Sequence, residues 1–412
     1  MSLGIEDTLK WQKGKKVMFN LKSARGLMQS EGLDGIIVST TDNFRYVTGC
    51  YPRSLLSRSL GAEIIVIPAD ENEEPAVILS EVDAQGLRDM IAFGDIRTFE
   101  SWIYFEVEGR VQAITKPKPE QYDPMATVVG AMKDKGLSRG IIGIEEDLTS
   151  ASFCRKLKEA LPNINLVNAT KLFYKMRAIK EPEELEKFRK AVKVTEDALR
   201  VALAIAKVGI TDRDLAQEFK KTAIALGAWV AGHCGHMILG FGPNTGKYPI
   251  AGPHPVAILE EGQLLFLDVG VYYDGVVTDM GRAYVMGEPS HRLAKWHETI
   301  HDANRKMVES IRPGIRFCDL FHIGMEKVRA VYPQYTRGHL GHSISIGPGP
   351  EEPPFISAQE TRELKPGMVL CVEVPYYIVG FGGIDIEDMV IVTDDGVEEL
   401  TCLDRGIKIP SK

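Results

Sequence analysis

Residues 264–287, LLFLDVGVYYDGVVTDMGRAYVMG, decide how the rest of the chain is read. Two apolar runs meet at Asp274-Gly275, and Asp-Gly between such runs is the strongest short-range hairpin signal. With those residues as the turn, Tyr273 pairs with Val276, Asp268 faces Gly281 and Gly270 faces Asp279. Side chains alternate with period two, so Asp268 and Asp279 project from one side as diagonal neighbours. Leu264, Leu265, Phe266, Leu267, Val269, Val276 and Val277 mark the strands as buried, and an unpaired carboxylate is strongly disfavoured there. A cation between the two acids is the simplest remedy. The competing reading is a surface hairpin with two solvated carboxylates.

The chain of 412 residues exceeds one ordinary core and implies two domains. A net charge of -8 leaves no basic footprint for nucleic acid. The start, MSLGIEDTLKWQKGKK, lacks the apolar core of a signal peptide, and no uncharged apolar run is long enough to span a membrane, which together suggest a cytoplasmic protein. The cysteines at 50, 154, 234, 318, 371 and 402 include no CxxC pair and read as buried free thiols.

From about residue 17 to 168 a helix-like segment at 19–30 is followed by β-rich runs at 35–39, 63–69, 76–80 and 141–146. That pattern predicts an α/β domain, and it contains no catalytic constellation. A boundary falls within 170–182. Glu181-Pro182 opens a helix whose apolar stripe is Leu185, Phe188, Val192, Leu199 and Leu203, continuing to Gly209. Thr211 and Asp214 form a capping-box start for a second helix reaching Gly227. The GPNTGK run at 242–247 resembles a phosphate loop, but its glycines are spaced too closely and Tyr248 follows the lysine. Ser290 caps a helix with apolar stripe Leu293, Trp296, Ile300, Met307 and Ile311, and another helix covers 318–331. Strands at 338–347, 367–378 and 382–396 close the chain, so the second domain reads as α+β.

Two constellations compete for the chemistry. His297-Glu298-Thr299-Ile300-His301 spells HExxH, which on a helix can offer two histidines to zinc. No third ligand or HxxGxxH extension follows, and an amphipathic surface helix explains the match better. The other set is Asp268 and Asp279, Glu373 and Glu387 inside apolar strands, and His342 in a glycine-flanked run. Four buried acids without a cation would repel one another. With one imidazole they suit manganese, cobalt, iron or zinc.

The order Asp268-x-Gly270, Asp279, Gly341-His342, Glu373 and GIDIED with Glu387 resembles the creatinase/prolidase/methionine aminopeptidase metallohydrolases of the pita-bread fold. GLDGIIVSTTDNFRYVTGC looks like the opening of their creatinase-type N-terminal domain, and MRAIKEPEELEKFRKA like the segment entering the catalytic domain. The resemblance implies an N-terminal domain over residues 1–172 and a pita-bread catalytic domain over 173–412. It further implies two divalent ions, manganese foremost, with Asp279 and Glu387 bridging, Asp268 on one and His342 with Glu373 on the other. Two such metals generate hydroxide near neutral pH and polarise a scissile carbonyl. Glu373 would also handle the proton of the attacking water, and His254 would lie near the substrate.

The expected activity is hydrolysis of peptide or amide C–N bonds, as in Xaa-Pro dipeptidases and aminopeptidases P. A creatinase-like hydrolase of a small metabolite and a non-catalytic binding module are the alternatives. A homodimer acting on small peptides or amides is expected by resemblance alone.

Two positions depart from the pattern. The second histidine usual in the peptidases falls here on Gly349 or Pro350, so His339 is left to fill part of its role. Asp385 stands where these peptidases commonly have arginine near the substrate, which reverses the local charge. Substrates with a free carboxylate at that point should bind less well.

Overall fold

A computed structural model describes residues 19–50, 63–100, 123–228, 235–247, 256–347 and 351–409. The chain divides into two compact units between Met176 and Arg177. Among the described residues no helix is long and apolar enough to cross a membrane.

The first unit contains α1 (Leu21–Ser30), β1 (Gly35–Val38), α2 (Thr41–Thr48), β2 (Ile64–Pro68), β3 (Ala76–Ser80), α3 (Glu81–Leu87) and β4 (Asp95–Phe99). After these come α4 (Met125–Asp134), β5 (Gly140–Ile144), α5 (Ala151–Ala160), β6 (Ile164–Asn168) and α6 (Thr170–Ala178), whose last two residues belong to the second unit. Its sheet has the order β4-β3-β2-β1-β5-β6 and mixes parallel with antiparallel pairs. Ile37, Ile64, Val66, Ile78, Val128, Met132, Ile142 and Leu157 form its core. Glu145, a buried acid of this unit, is occupied locally: its carboxylate accepts from the Ser39 and Thr40 amides and the Thr40 hydroxyl at 2.9, 3.0 and 2.6 Å.

The second unit opens with α7 (Pro182–Leu203) and α8 (Asp212–Ala225). Glu184 returns a carboxylate oxygen to the Glu181 amide in a capping box, with proline at the first turn, and Thr211 with Asp214 makes the second box. The sequence pattern carried α7 to Gly209, six residues past its observed end. Past Leu203 the chain tightens into turns, Ile205 donating to Ala202 and Ala206 to Leu203, before Gly209 and Ile210 bond with Leu259.

The strands β7 (Gly235–Phe241), β8 (Leu264–Tyr273), β9 (Val276–Val277) and β10 (Met280–Val285) follow, with the order β10-β8-β7 and β9 paired to β8. Helices α9 (His291–Ser310) and α10 (Phe317–Arg329) precede β11 (Gly341–Ser343), β12 (Glu352–Phe355), β13 (Val369–Glu373), β14 (Tyr376–Ile378), β15 (Gly382–Ile384), β16 (Glu387–Val392) and β17 (Val397–Glu399). A five-stranded sheet runs β12-β11-β13-β16-β17, and β14 pairs with β15. Trp296, Ile300, Met307, Phe317, Phe321, Leu340, Leu370, Val372 and Val390 join the two helices to this sheet in one core.

The runs expected as long strands at 367–378 and 382–396 are each broken. Pro375 cannot donate to a ladder, and the break after Ile384 is closed by Asn304 of α9. Its buried amide nitrogen donates to the Val372 and Ile386 carbonyls at 2.9 and 3.1 Å. These breaks sit beside Glu373 and Glu387. Of the cysteines expected as buried thiols, Cys50, Cys318 and Cys371 are buried, but Cys402 is exposed and Cys154 half-buried. Cys234 lies outside the described residues.

Candidate metal centre

The hairpin has the expected register. Asp274 and Gly275 both take positive φ, 42° and 96°, the signature of a type I′ turn that suits twisted strands. Tyr273 faces Val276 and Asp268 faces Gly281. Between them the ladder departs from expectation, since strand pairing is interrupted at Thr278 and Asp279. The Thr278 hydroxyl takes the Val271 amide at 2.9 Å and is held by Thr195 Oγ1 of α7 at 2.8 Å. The Asp279 amide instead faces Met389 Sδ of β16 at 3.3 Å. Asp279 is thereby turned from its own sheet towards the next.

At Gly281 the two sheets approach closely. A Cβ placed there would lie 3.0 Å from Glu387 Cβ and 3.1 Å from Asp385 Cγ. Gly281→Ala is expected to push β10 and β16 apart and weaken metal binding about tenfold to a hundredfold, the scale of disturbed outer-shell support. Isothermal titration with a divalent metal checks this, and unchanged affinity would contradict the close approach.

The five-stranded sheet supplies the remaining groups from one face. His342 pairs with Cys371 and Cys371 with Met389, while Glu373 pairs with Glu387 two residues along. Period-two alternation puts all five side chains on the same side. His342 Nε2 lies 3.5 Å from Asp279 Oδ2 and 3.6 Å from Glu387 Oε1. Nδ1 of the same ring is 3.0 Å from the Ser343 carbonyl, which fixes the ring and leaves Nε2 aimed at the carboxylates. One ligand atom each from Asp279, His342, Cys371 and Glu387 lie within 4.8 Å of one another, and all four residues are buried.

The electrostatics are those of a cation site. Burial and the charge of Asp279 raise the Glu387 pKa well above the usual carboxylate range, against the opposing hydrogen bond from His342. Burial, then Glu373 and Asp268, do the same to Asp385, opposed by Arg337. Burial disfavours a charged His342, but hydrogen bonds to Asp279 and Glu387 outweigh it and raise its pKa. Glu373 Oε2 lies 3.8 Å from Arg337 Nη2, and Glu373 Oε1 lies 3.0 Å from His339 Nδ1 without hydrogen-bond alignment. Glu373 Oε1 and Asp385 Oδ1 are buried with no hydrogen-bond partner among the described residues. Buried acids that repel one another, orphaned oxygens and an imidazole nitrogen aimed at them form a donor set that fits divalent metal.

Asp279, His342 and Glu387 are therefore brought together, with Asp268 and Glu373 near enough to act on Asp385. His339 stands beside Glu373, and Asp385 lies within the cluster. His254, Gly349 and Pro350 lie outside the described residues. Cys371, Met389 and Arg337 escaped the sequence reading, as did the braces Asn304, Thr195 and Arg282. Cys371 had a usable signal, since it stands two residues before Glu373 in one strand.

The HExxH helix folds as α9, with Ser290 capping it and Leu293, Trp296, Ile300 and Met307 facing the core. His297 is buried and its pKa falls to about 4, chiefly through burial. The His301 ring stacks on it at 6.5 Å, with its own Nδ1 towards Asp302 at 3.3 Å. No third ligand joins them among the described residues. His301→Ala is expected to leave metal content unchanged by elemental analysis. Complete loss of metal would move the centre to this helix.

Sequence comparison matches residues 186–394 to metallopeptidase family M24 and residues 20–179 to the creatinase/prolidase N-terminal domain. An uncharacterized peptidase of Bacillus subtilis, YqhT, is 26% identical over 388 residues, covering 92% of this chain and 97% of its own. An Xaa-Pro dipeptidase of Lactobacillus helveticus is 27% identical over 289 residues, covering 70% of this chain and 77% of its own. Two solved structures share the fold. An X-Pro aminopeptidase from Thermotoga maritima superposes with a TM-score of 0.76 at 22% identity, covering 94% of this chain and 99% of its own. A prolidase from Thermococcus sibiricus gives 0.80 at 21%, covering 96% and 99%.

Proposed function

The chain belongs to metallopeptidase family M24, and from that premise we propose that it hydrolyses peptide or amide C–N bonds with two divalent cations, in the manner of an Xaa-Pro peptidase. Asp279 and Glu387 would be shared between the cations, Asp268 would hold one, and His342 with Glu373 the other. Manganese is the ion that a mainly carboxylate set favours. Such a pair of cations, when bound, supplies an activated water near neutral pH and polarises the scissile carbonyl.

The chain's own groups would do the rest. Glu373 would take the proton of the attacking water, a role supported by its Oε1 being buried without a hydrogen-bond partner 3.0 Å from His339 Nδ1. His339 is half-buried beside it and is positioned to steady the developing negative charge or return a proton to the leaving nitrogen. The observation that carries this reading is the convergence of Asp279, His342 and Glu387, from two different sheets, in a buried cluster.

The test is turnover of Xaa-Pro peptides and small amides by protein shown to carry two metals. Cleavage of none of them contradicts the proposal, and tight peptide binding without turnover would mark a binding module. Asp385 favours a second reading, a creatinase-like hydrolase of a small metabolite, because it removes a positive charge suited to a peptide carboxylate. Turnover of ureas, amidines or N-acyl compounds with peptides untouched would establish that reading.

Asp385 also yields a specificity prediction. Asp385→Asn is expected to lower KM for Xaa-Pro dipeptides roughly tenfold, about 1.4 kcal/mol, relative to the same peptides capped as carboxamides. Parallel kinetics on the two series check it. Equal changes in both would show that Asp385 does not meet the substrate carboxylate.

A further inference from the structure

We infer that Cys371 is a further ligand of this centre, its thiolate sulfur binding the cation held by His342 and tilting the site from manganese towards zinc or cobalt. The inference rests on the two-metal reading above. Cys371 lies in the middle of β13, between His342 on one neighbouring strand and Met389 on the other. Its sulfur falls within the 4.8 Å cluster formed with the ligand atoms of Asp279, His342 and Glu387. The side chain is wholly buried, 0% exposed.

The simpler account is a small core residue whose thiol donates weakly to the Asp279 carbonyl at 3.9 Å. The neighbours argue against that account. Leu370 and Val372, on either side in sequence, belong to the hydrophobic core beneath α9 and α10. Cys371 points to the opposite face, where His342, Glu373 and Glu387 lie. A filler side chain has little reason to stand among carboxylates, whereas a ligand does.

Met389 adds a second sulfur to the same floor. Its Sδ receives the Asp279 amide at 3.3 Å, so sulfur meets Asp279 at both its N–H and its carbonyl. Met389 acts here as a positioning residue for Asp279. Thiolate is a soft donor that selects zinc and related ions over manganese, which carboxylates alone suit. On binding, the metal replaces the thiol proton, which leaves to solvent.

The test uses the full chain, stripped by chelation and titrated with cobalt(II). Wild type is expected to develop a near-ultraviolet thiolate-to-cobalt charge-transfer band. Cys371→Ser should lose the band while retaining bound cobalt, and Cys402→Ser, at the exposed thiol, should keep it. Zinc-edge X-ray absorption of the wild type, which depends on no variant, should show a sulfur shell at about 2.3 Å, amounting to about half a sulfur per zinc when two are bound. Cobalt bound without the band, a band that survives in Cys371→Ser, or zinc surrounded only by nitrogen and oxygen would overturn the ligation and leave the two-metal reading standing. Wild type that binds no metal would remove both.

Discussion

Glu387→Gln is expected to lower kcat/KM by more than about 10³-fold, the upper range for losing one charge-stabilising group, because on the proposed function it removes a carboxylate that two cations would share. The same substitution should stabilise the metal-free protein. Burial and Asp279 already penalise a charged Glu387, and glutamine keeps the shape without the charge. The sign with pH follows from the raised folded pKa. The folded state holds the Glu387 proton more tightly than the unfolded chain, so the penalty is absent at acid pH. It grows as pH rises from the ordinary glutamate range through the folded value. The stability gained by glutamine should therefore be larger at pH 8 than at pH 5. Added metal should reverse the ranking. A ligand at a hundredfold excess over its Kd stabilises by about 2.7 kcal/mol, and the variant forfeits this wherever Glu387 is needed for binding. Thermal unfolding of both proteins, with and without metal, reads both effects. A metal-free variant less stable than wild type, and still stabilised by metal, would contradict the assignment.

Arg282→Met is expected to destabilise the second unit by about 3–5 kcal/mol, the cost of stranding one charge of a buried pair. Arg282 and Asp388 side chains are fully buried, with Nη2 2.7 Å from Asp388 Oδ1. Nη1 donates to the Gly281 and Glu387 carbonyls at 2.7 Å each, and Nη2 also reaches the Leu403 carbonyl at 3.1 Å. One guanidinium thus ties the hairpin strand, three residues beyond Asp279, to β16 at Glu387 and Asp388. Asp388 alternates to the face away from Glu387, so the tie does not compete with metal. Burial opposes ionisation of Asp388, but Arg282 and Arg405 outweigh it and hold its carboxyl below the usual range. Methionine fills similar volume and leaves Asp388 with Arg405 alone, at 2.8 Å from Oδ2. Urea denaturation of the metal-free proteins measures the loss. A change below about 1 kcal/mol would show that Arg405 alone satisfies Asp388.

The hairpin was legible because Asp274-Gly275 specifies one turn geometry, and one turn geometry specifies one register. The helix starts at Glu181, Thr211 and Ser290 were legible for a similar reason, since caps act within a few residues. His342, Glu373 and Glu387, the candidate ligands on β11, β13 and β16, were legible only as polar residues out of place in apolar runs. Cys371 was legible only through Glu373, which stands two residues on in VLCVE and marks the face that both share, because a thiol in an apolar run reads first as a core residue. The braces were not legible: Asn304, Arg282 and Thr195 act across separations in sequence that no local pattern carries. The end of α7 was misplaced because the helix gives way at Ile205 and Ala206 to i→i−3 turns inside a run of helix-favouring residues that carries no stop signal before Gly209.

Anomalous diffraction from crystals of metal-loaded protein, collected at the metal's absorption edge, addresses the central claim most directly. The account predicts two peaks per chain, both bounded by Asp279 and Glu387, with Asp268 on one and His342 with Glu373 on the other. A single peak, or peaks at His297 and His301, would contradict it.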